Sequence, residues 1–214
     1  MKTITNPSSF LLVEGDDDRD VFSELRDQYD KSLRDLFQIK PAGGKKKLDK
    51  MFTEELLADD RQVIGFVRDA DETLRESWQS VKERIERTEL GYVVPNFLGS
   101  TGIIIEPPNE YLPRVGVWIM PDNQSEGELE DFVRKCIVVD DALIPHADDA
   151  LDKIEEAGIR RYKGKRSKAF VYTWLAWQEE PGIDMRKNFK QGVLSANSPI
   201  AQTFVEWLNR LFNA

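Results

Sequence analysis

The stretch FLLVEGDDDRDVF, residues 10–22, contains the change from apolar to acidic residues that decides the fold. A short apolar run stops at Glu14 and Gly15, and three aspartates follow at once. This run predicts a buried strand over Ser9–Val13, and the helical spacing of the apolar residues beyond it predicts a helix. Aspartates at a helix start interact favourably with the helix dipole, so the acidic run fits either a capped helix or a metal site.

The alternation of strand and helix continues along the chain. Residues 36–40 and 62–67 are further apolar runs, each followed by apolar residues at helical spacing. Residues 115–120 form a later strand candidate, and residues 92–98 and 101–106 form two shorter ones. A β-α-β-α-β-α order predicts an α/β fold with a mostly parallel, Rossmann-like sheet flanked by helices.

The second half of the chain has helical patterns. Ser125 and Glu128 are spaced as a capping box before a helix. Three further helices are predicted: 147–157, 167–178 and 199–212. Because no linker composition separates the halves, we expect an α/β domain over residues 1–138 and a helical C-terminal extension over residues 139–214, packed as one compact unit.

Composition is that of a folded protein from a reducing compartment. The chain has 214 residues, of which 40% are hydrophobic and 10% aromatic, enough to bury a full core. The single cysteine, Cys136, excludes an internal disulfide framework. The apolar run near the N-terminus is too short for a signal peptide or a membrane span. We therefore expect a cytoplasmic protein with no membrane partner.

Charge limits the partners that the chain can bind. A net charge of −9 argues against non-specific coating of nucleic acid, which depends on neutralising phosphates. Two local basic segments could still follow a DNA or RNA backbone: GGKKKLDK (43–50) and RRYKGKRSK (160–168). The alternative is that each segment is a solvent-exposed surface that binds no phosphate. The candidate phosphate-binding residues are Lys45, Lys46, Arg160, Arg161, Lys163 and Lys165.

Carboxylates follow the predicted parallel strands. Glu14 follows the first strand, and Asp69 and Asp71 follow the third. Because the C-terminal ends of parallel strands share one edge of a sheet, where ligands bind, we expect these side chains to converge. Crowded carboxylates raise one another's pKa unless a cation neutralises them, and Mg²⁺ (or Mn²⁺) prefers such oxygen ligands. The sequence therefore predicts a metal site.

Further carboxylates could complete this site. If residues 115–120 are parallel to the third strand, Asp122 reaches the same edge, with Glu126 and Glu128 just beyond it. Asp122 and Glu126 could complete a second metal site. Asp18, in the acidic run, could support the ligands as an outer-sphere residue.

The segments LLVEGDDD and RDAD resemble the Toprim domain of topoisomerases, bacterial primases and small nucleases. The Toprim glutamate after strand one matches Glu14, and its Asp-x-Asp after strand three matches Asp69 and Asp71. The resemblance covers the N-terminal α/β part. It implies Mg²⁺-dependent chemistry on phosphodiester bonds, in which the aspartates hold the metal and Glu14 is a ligand or the general base.

Three later segments extend the resemblance over nearly the whole chain. GVWIMPDNQSEGELEDF, KAFVYTWLAWQEEPG and SPIAQTFVEWLNRLF are similar to an uncharacterised prokaryotic family, domain of unknown function 3226, which is grouped with Toprim-like proteins. The chain has no tyrosine placed as a topoisomerase nucleophile, no primase zinc module and no ATPase domain. We therefore expect it to act alone or with a separately encoded ATPase or regulatory partner.

Two other functions remain open. RDADETL also fits the Asp-x-Asp-x-Thr motif of haloacid-dehalogenase-type phosphohydrolases, in which Asp69 would be the nucleophile. That motif normally lies on the first strand of the domain, and Glu14 would then have no role. The other possibility is a non-catalytic regulatory module whose acidic pocket binds a metal or a basic partner.

Overall fold

Strands and helices alternate along the N-terminal half of the chain, and helices alone follow. The computed structural model describes residues 8–70, 73–138 and 140–213. The N-terminal elements are β1 (Ser9–Val13), α1 (Asp16–Tyr29), a 3-10 turn (Lys31–Asp35), β2 (Gln38–Pro41), α2 (Lys45–Leu56), β3 (Val63–Asp69), α3 (Leu74–Glu86), β4 (Ile103–Ile105) and β5 (Arg114–Met120). The helices that follow are α4 (Leu129–Lys135), α5 (Leu143–Glu156), α6 (Arg166–Ala176), α7 (Met185–Gln191) and α8 (Pro199–Phe212).

The sheet is mostly parallel, as predicted. Its five strands lie in the order β2-β1-β3-β5-β4. The pairs β1–β2, β1–β3 and β3–β5 are parallel, and only the edge strand β4 runs antiparallel to its neighbour β5. The C-terminal ends of β1, β3 and β5 therefore share one edge of the sheet.

Helices cover both faces of the sheet. In β1, Leu11 and Val13 belong to one core, while Phe10 and Leu12 belong to the other, because successive side chains of a strand point to opposite faces. All five residues of β1 are buried, and this explains the continuous apolar run in the sequence. Helices α1, α4 and α8 contribute to the first core, and α2 and α3 contribute to the second.

The C-terminal helix α8 packs directly on the sheet. The indole N–H of Trp207 donates to the carbonyl of Ile103 at 3.2 Å, and its ring packs against that of Trp118. Leu211 lies over Gly116, where an added Cβ would come within 2.3 Å of a leucine methyl. The C-terminal helices and the sheet thus share one core.

Some predicted elements are corrected by the structure. The strand predicted over 92–98 is wrong, because this segment is irregular, and the one over 101–106 is limited to β4. The capping box predicted at Ser125 is also wrong, because α4 begins at Leu129 and Glu128 is its N-cap. None of the helices in the described part of the chain combines the length and apolar character that a membrane crossing requires.

Candidate functional site

An acidic cavity opens at the C-terminal edge of the sheet. Its volume is about 370 Å³. Carboxylates from three parts of the chain line it, together with Lys168: Glu14, Asp16, Asp17, Asp18, Asp69, Glu128 and Glu130. The cavity therefore lies where the parallel topology predicts a ligand site.

Backbone hydrogen bonds fix the first wall of this cavity. The Gly15 N–H donates to the Asp18 carboxylate at 2.9 Å and so orients that side chain at the start of α1. The carbonyl of Glu14 accepts from the N–H groups of Gly43 and Gly44, at 2.9 and 3.0 Å. These two residues have φ of 76° and 117°, a conformation that favours glycine. The start of α2 is thereby held beside the end of β1.

The second wall is the connection between β5 and α4. Asp69 ends β3, and the N–H of the next residue, Ala70, donates to the carbonyl of Gly127 at 3.1 Å. The N–H of Glu128 donates to Asp131 at 2.8 Å and sets the first turn of α4. These bonds bring Glu128 and Glu130 to the cavity opposite β1.

The crowding of these carboxylates changes their acidity. Burial, together with the negative charges of Asp18, Glu14 and Glu128, raises the pKa of Asp69 to about 8. Burial likewise raises the pKa of Asp18 to about 7, with contributions from Glu14 and Glu130, although the Gly15 hydrogen bond opposes the shift. Both groups hold protons near neutral pH that a cation would displace.

Basic residues of the 160–168 segment border the cavity. Lys168 Nζ lies 2.8 Å from Glu130, a residue that is only 4% exposed. Lys165 Nζ lies 3.6 Å from Glu128, which also accepts from the Ser167 hydroxyl at 3.0 Å. The start of α6 thus brings positive charge to the rim of the acidic cavity.

The other predicted cations occupy different settings. The guanidinium of Arg160 donates to the carbonyls of Tyr162 and Gly164, at 3.1 and 3.0 Å, and so shapes its own loop. Arg161 and Lys163 are exposed. Lys45 is the first residue of α2, next to the glycines held by Glu14, and Lys46 beside it is exposed.

The structure places three of the predicted site residues in one cavity. Glu14, Asp18 and Asp69 line the same cavity, whereas Asp71 lies outside the described residues. Asp122 and Glu126 do not line it. Sequence reasoning selected these two, placed Glu128 near this edge without selecting it as a ligand, and missed Glu130. The apolar side chains at 129, 132, 133 and 136 mark the helix whose start carries both glutamates.

The carboxylate of Asp122 already interacts with neighbouring side chains. Its carboxylate accepts from the Ser125 N–H at 2.8 Å and from the Ser125 hydroxyl, and it forms an ion pair with Lys135. Although burial would raise the pKa of Asp122, the hydrogen bonds from Lys135 and Ser125 lower it to about 2. This carboxylate therefore carries a full charge that a lysine already neutralises.

The donor set of the cavity suits a hard cation. All its acidic donors are carboxylate oxygens, the ligand type that Mg²⁺ and Mn²⁺ prefer. In the part of the chain that the structure describes, no three Asp, Glu, His or Cys side chains are arranged to hold one metal ion. The described residues thus offer one or two carboxylates to a Mg²⁺ ion, and water would have to complete its coordination.

Comparison with known proteins identifies one match. The model of a family described as a protein of unknown function (DUF3226) matches residues 8–213. No curated protein and no solved structure was found to match the chain.

Proposed function

We propose that this chain, which belongs to the DUF3226 family of proteins of unknown function, is a Mg²⁺-dependent enzyme of the Toprim type that cleaves phosphodiester bonds. The observation that carries the proposal is the meeting of Glu14 and Asp69 at the C-terminal edge of parallel strands. There burial and neighbouring carboxylates raise the pKa of Asp69 to about 8. Burial and like charges destabilise the ionised form of such a carboxyl group, and a bound cation would stabilise that form in place of the proton.

The residues of the cavity have distinct roles in this proposal. Asp69, together with Asp71, would hold the metal ion. Glu14 would be either a further ligand or the group that accepts a proton from the attacking water. Asp18 would support the ligands as an outer-sphere residue, and the hydrogen bond from the Gly15 N–H orients its carboxylate. When bound, Mg²⁺ lowers the pKa of a water and neutralises charge on the scissile phosphate.

A nucleic acid is the substrate that the surrounding charge supports. Lys165 and Lys168 lie at the rim of the cavity, and Lys45 begins α2 beside the backbone of Glu14. These cations can contact phosphates on either side of a bond placed over the carboxylates, because phosphate contacts are what position a nucleic acid on a protein. The acidic remainder of the surface would repel the rest of the strand.

The experiment is a cleavage assay on single-stranded and double-stranded DNA and RNA with Mg²⁺ or Mn²⁺. Asp69→Asn should abolish cleavage, whereas Glu179→Gln should retain it, because Glu179 is exposed and lies outside the acidic cavity. Absence of cleavage by the wild type on all four substrates would remove the proposal.

The same samples separate the two rival functions. Metal binding without cleavage would indicate a regulatory module. Hydrolysis of phosphomonoesters through a phosphorylated Asp69, with no attack on phosphodiesters, would indicate the haloacid-dehalogenase chemistry.

A further inference from the structure

A second cavity lies on the other side of the connection between β5 and α4. Its volume is about 550 Å³, and it is bounded by the start of α3, residues 96–98 and the loop after β5. We propose that this cavity binds a planar heteroaromatic base, either of a nucleotide or of an unpaired nucleic-acid strand. The inference goes beyond the proposed cleavage, because base binding requires neither a metal nor a reaction.

The wall of this cavity is fixed before any ligand arrives. Trp78 lines it and is only 5% exposed, and its indole N–H donates to the carbonyl of Asn96 at 3.3 Å. Lys82 donates to the side-chain oxygen of the same asparagine at 2.6 Å. The irregular segment is thereby held on α3 at two points, as a preformed binding site requires.

Asn123 is the buried polar residue of the cavity wall. It is 2% exposed, and its Oδ1 accepts from the Ile119 N–H at 2.7 Å, which fixes the orientation of its amide. The Nδ2 atom is buried and has no hydrogen-bond partner among the described residues. Because a buried donor is rarely left without an acceptor, this group calls for a ligand that carries one. Ring nitrogens and carbonyl oxygens of bases are such acceptors.

The rim offers an aromatic surface and a second polar group. Phe97 lines the cavity, yet it is 85% exposed, so its ring can accept a stacking partner. Glu126, which the sequence suggested as a metal ligand, lines this cavity instead and is exposed. An aromatic rim, a buried amide donor and a carboxylate acceptor together match a base with a ring acceptor and an exocyclic amine.

Binding of the four nucleoside monophosphates and of a short single-stranded oligonucleotide, measured by calorimetry or ligand-observed NMR in EDTA, tests the proposal. Saturable binding is expected for the wild type, and Phe97→Ala should weaken it by about tenfold or more. Val93→Ala is the matched control: Val93 is 87% exposed in the same segment and does not line the cavity. Its affinity should equal that of the wild type.

Asn123→Asp removes the amide donor and keeps an oxygen for the Ile119 N–H. Asn123→Asp should also weaken base binding. A thermal melting curve shows whether this variant folds. If it does not fold, the affinity of Phe97→Ala decides the test. Tighter binding of the oligonucleotide than of the mononucleotides would assign the base to a strand, and equal affinity would assign it to a free nucleotide. No saturable binding of any probe, or undiminished binding by Phe97→Ala, would overturn the proposal.

Asp69→Asn should bind the bases as the wild type does. This variant distinguishes failure of the base site from failure of the proposed cleavage, since it removes the acidic cavity's central carboxylate and leaves the lining of the second cavity unchanged.

Discussion

The backbone N–H of Ala70 donates a 3.1 Å hydrogen bond to the carbonyl of Gly127, and this bond joins the end of β3 to the loop before α4. Gly127 has a φ of 154°, and an added Cβ would lie 2.7 Å from the Asp131 carboxylate, so the connection needs glycine. Because of this hydrogen bond, Glu128 and not Glu126 lies beside Asp69. The cavity therefore combines carboxylates that follow or end β1 and β3 with carboxylates at the start of α4.

The first prediction concerns stability in the absence of metal. The raised pKa of Asp69, about 8, means that the folded state keeps a proton that the unfolded chain loses near its ordinary value of 3.8. Wild-type stability should therefore fall as pH rises from about 4 toward 8. Asp69→Asn should be more stable than the wild type at pH 8 by at least about 1 kcal/mol, or about 2–4 °C in Tm. Denaturation in EDTA at several pH values measures the difference.

Asp122→Asn is the control with the opposite sign. The lowered pKa of Asp122, about 2, means that its ionised form is stabilised in the folded state, so this contribution is present at neutral pH and lost as the solution is acidified through that pKa. The variant should be less stable than the wild type at pH 7.

Stability curves of Asp69→Asn and wild type that run parallel from pH 5 to 8 would show that the carboxylates of the cavity do not repel one another.

The second prediction concerns proton release on metal binding. Because Asp69 and Asp18 hold protons near neutral pH, Mg²⁺ or Mn²⁺ must displace them. Affinity should therefore increase between pH 6 and 8, and calorimetric heats should differ between buffers of different ionisation enthalpy. Asp69→Asn should lose measurable binding, and Glu126→Gln should keep it. An affinity that does not depend on pH would contradict the electrostatic basis of the site.

The sheet could be predicted because its strands are buried on both faces. Continuous apolar runs marked β1, β3 and β5, and their alternation with helices predicted parallel pairing. The strand over 92–98 was wrong although Tyr92, Val94 and Leu98 pack against the second core, because the segment is irregular and pairs with no described strand of the sheet. Helix α7 was missed because seven residues with few buried side chains carry little periodic signal.

The candidate site was predictable only where topology alone determines position. Glu14 and Asp69 follow parallel strands directly, so their meeting required no loop to be known. Asp122 also follows a parallel strand, but a nearby lysine and serine engage its carboxylate, and the long loop after it decides which later acids reach the cavity. Such a loop path depends on individual hydrogen bonds that a sequence pattern does not contain.

The third prediction concerns the packing of α8 on the sheet. An alanine Cβ at position 116 would lie 2.3 Å from a methyl of Leu211, so Gly116→Ala must shift either helix α8 or its buried side chains. We expect the free energy of unfolding to fall by about 1–3 kcal/mol, as for other overpacked cores. Gly164→Ala, where the nearest atom is 4.0 Å away, should change stability little. A single cooperative unfolding transition in both variants would fit a compact unit of sheet and C-terminal helices, whereas separate transitions would indicate an independent C-terminal domain.

The fourth prediction concerns the basic segment at the rim of the acidic cavity. Replacing Arg161, Lys163 and Lys165 with alanine should weaken nucleic-acid binding and flatten its salt dependence by up to about one log-log unit for each phosphate that is no longer neutralised. Arg160 is left in place because its guanidinium holds two carbonyls of the same loop. Filter binding or fluorescence anisotropy at several salt concentrations gives the slope.

Net charge alone could produce part of this effect, and a matched triple variant separates the two causes. Lys31, Lys153 and Lys190 are exposed and do not line the acidic cavity. Their replacement with alanine changes the total charge by the same amount, so it should alter the affinity slightly and leave the salt slope unchanged, because these lysines do not neutralise a bound phosphate directly. If the two triple variants have the same slope, the 160–168 segment is a solvated surface, and the strand must approach the carboxylates from the side of α2.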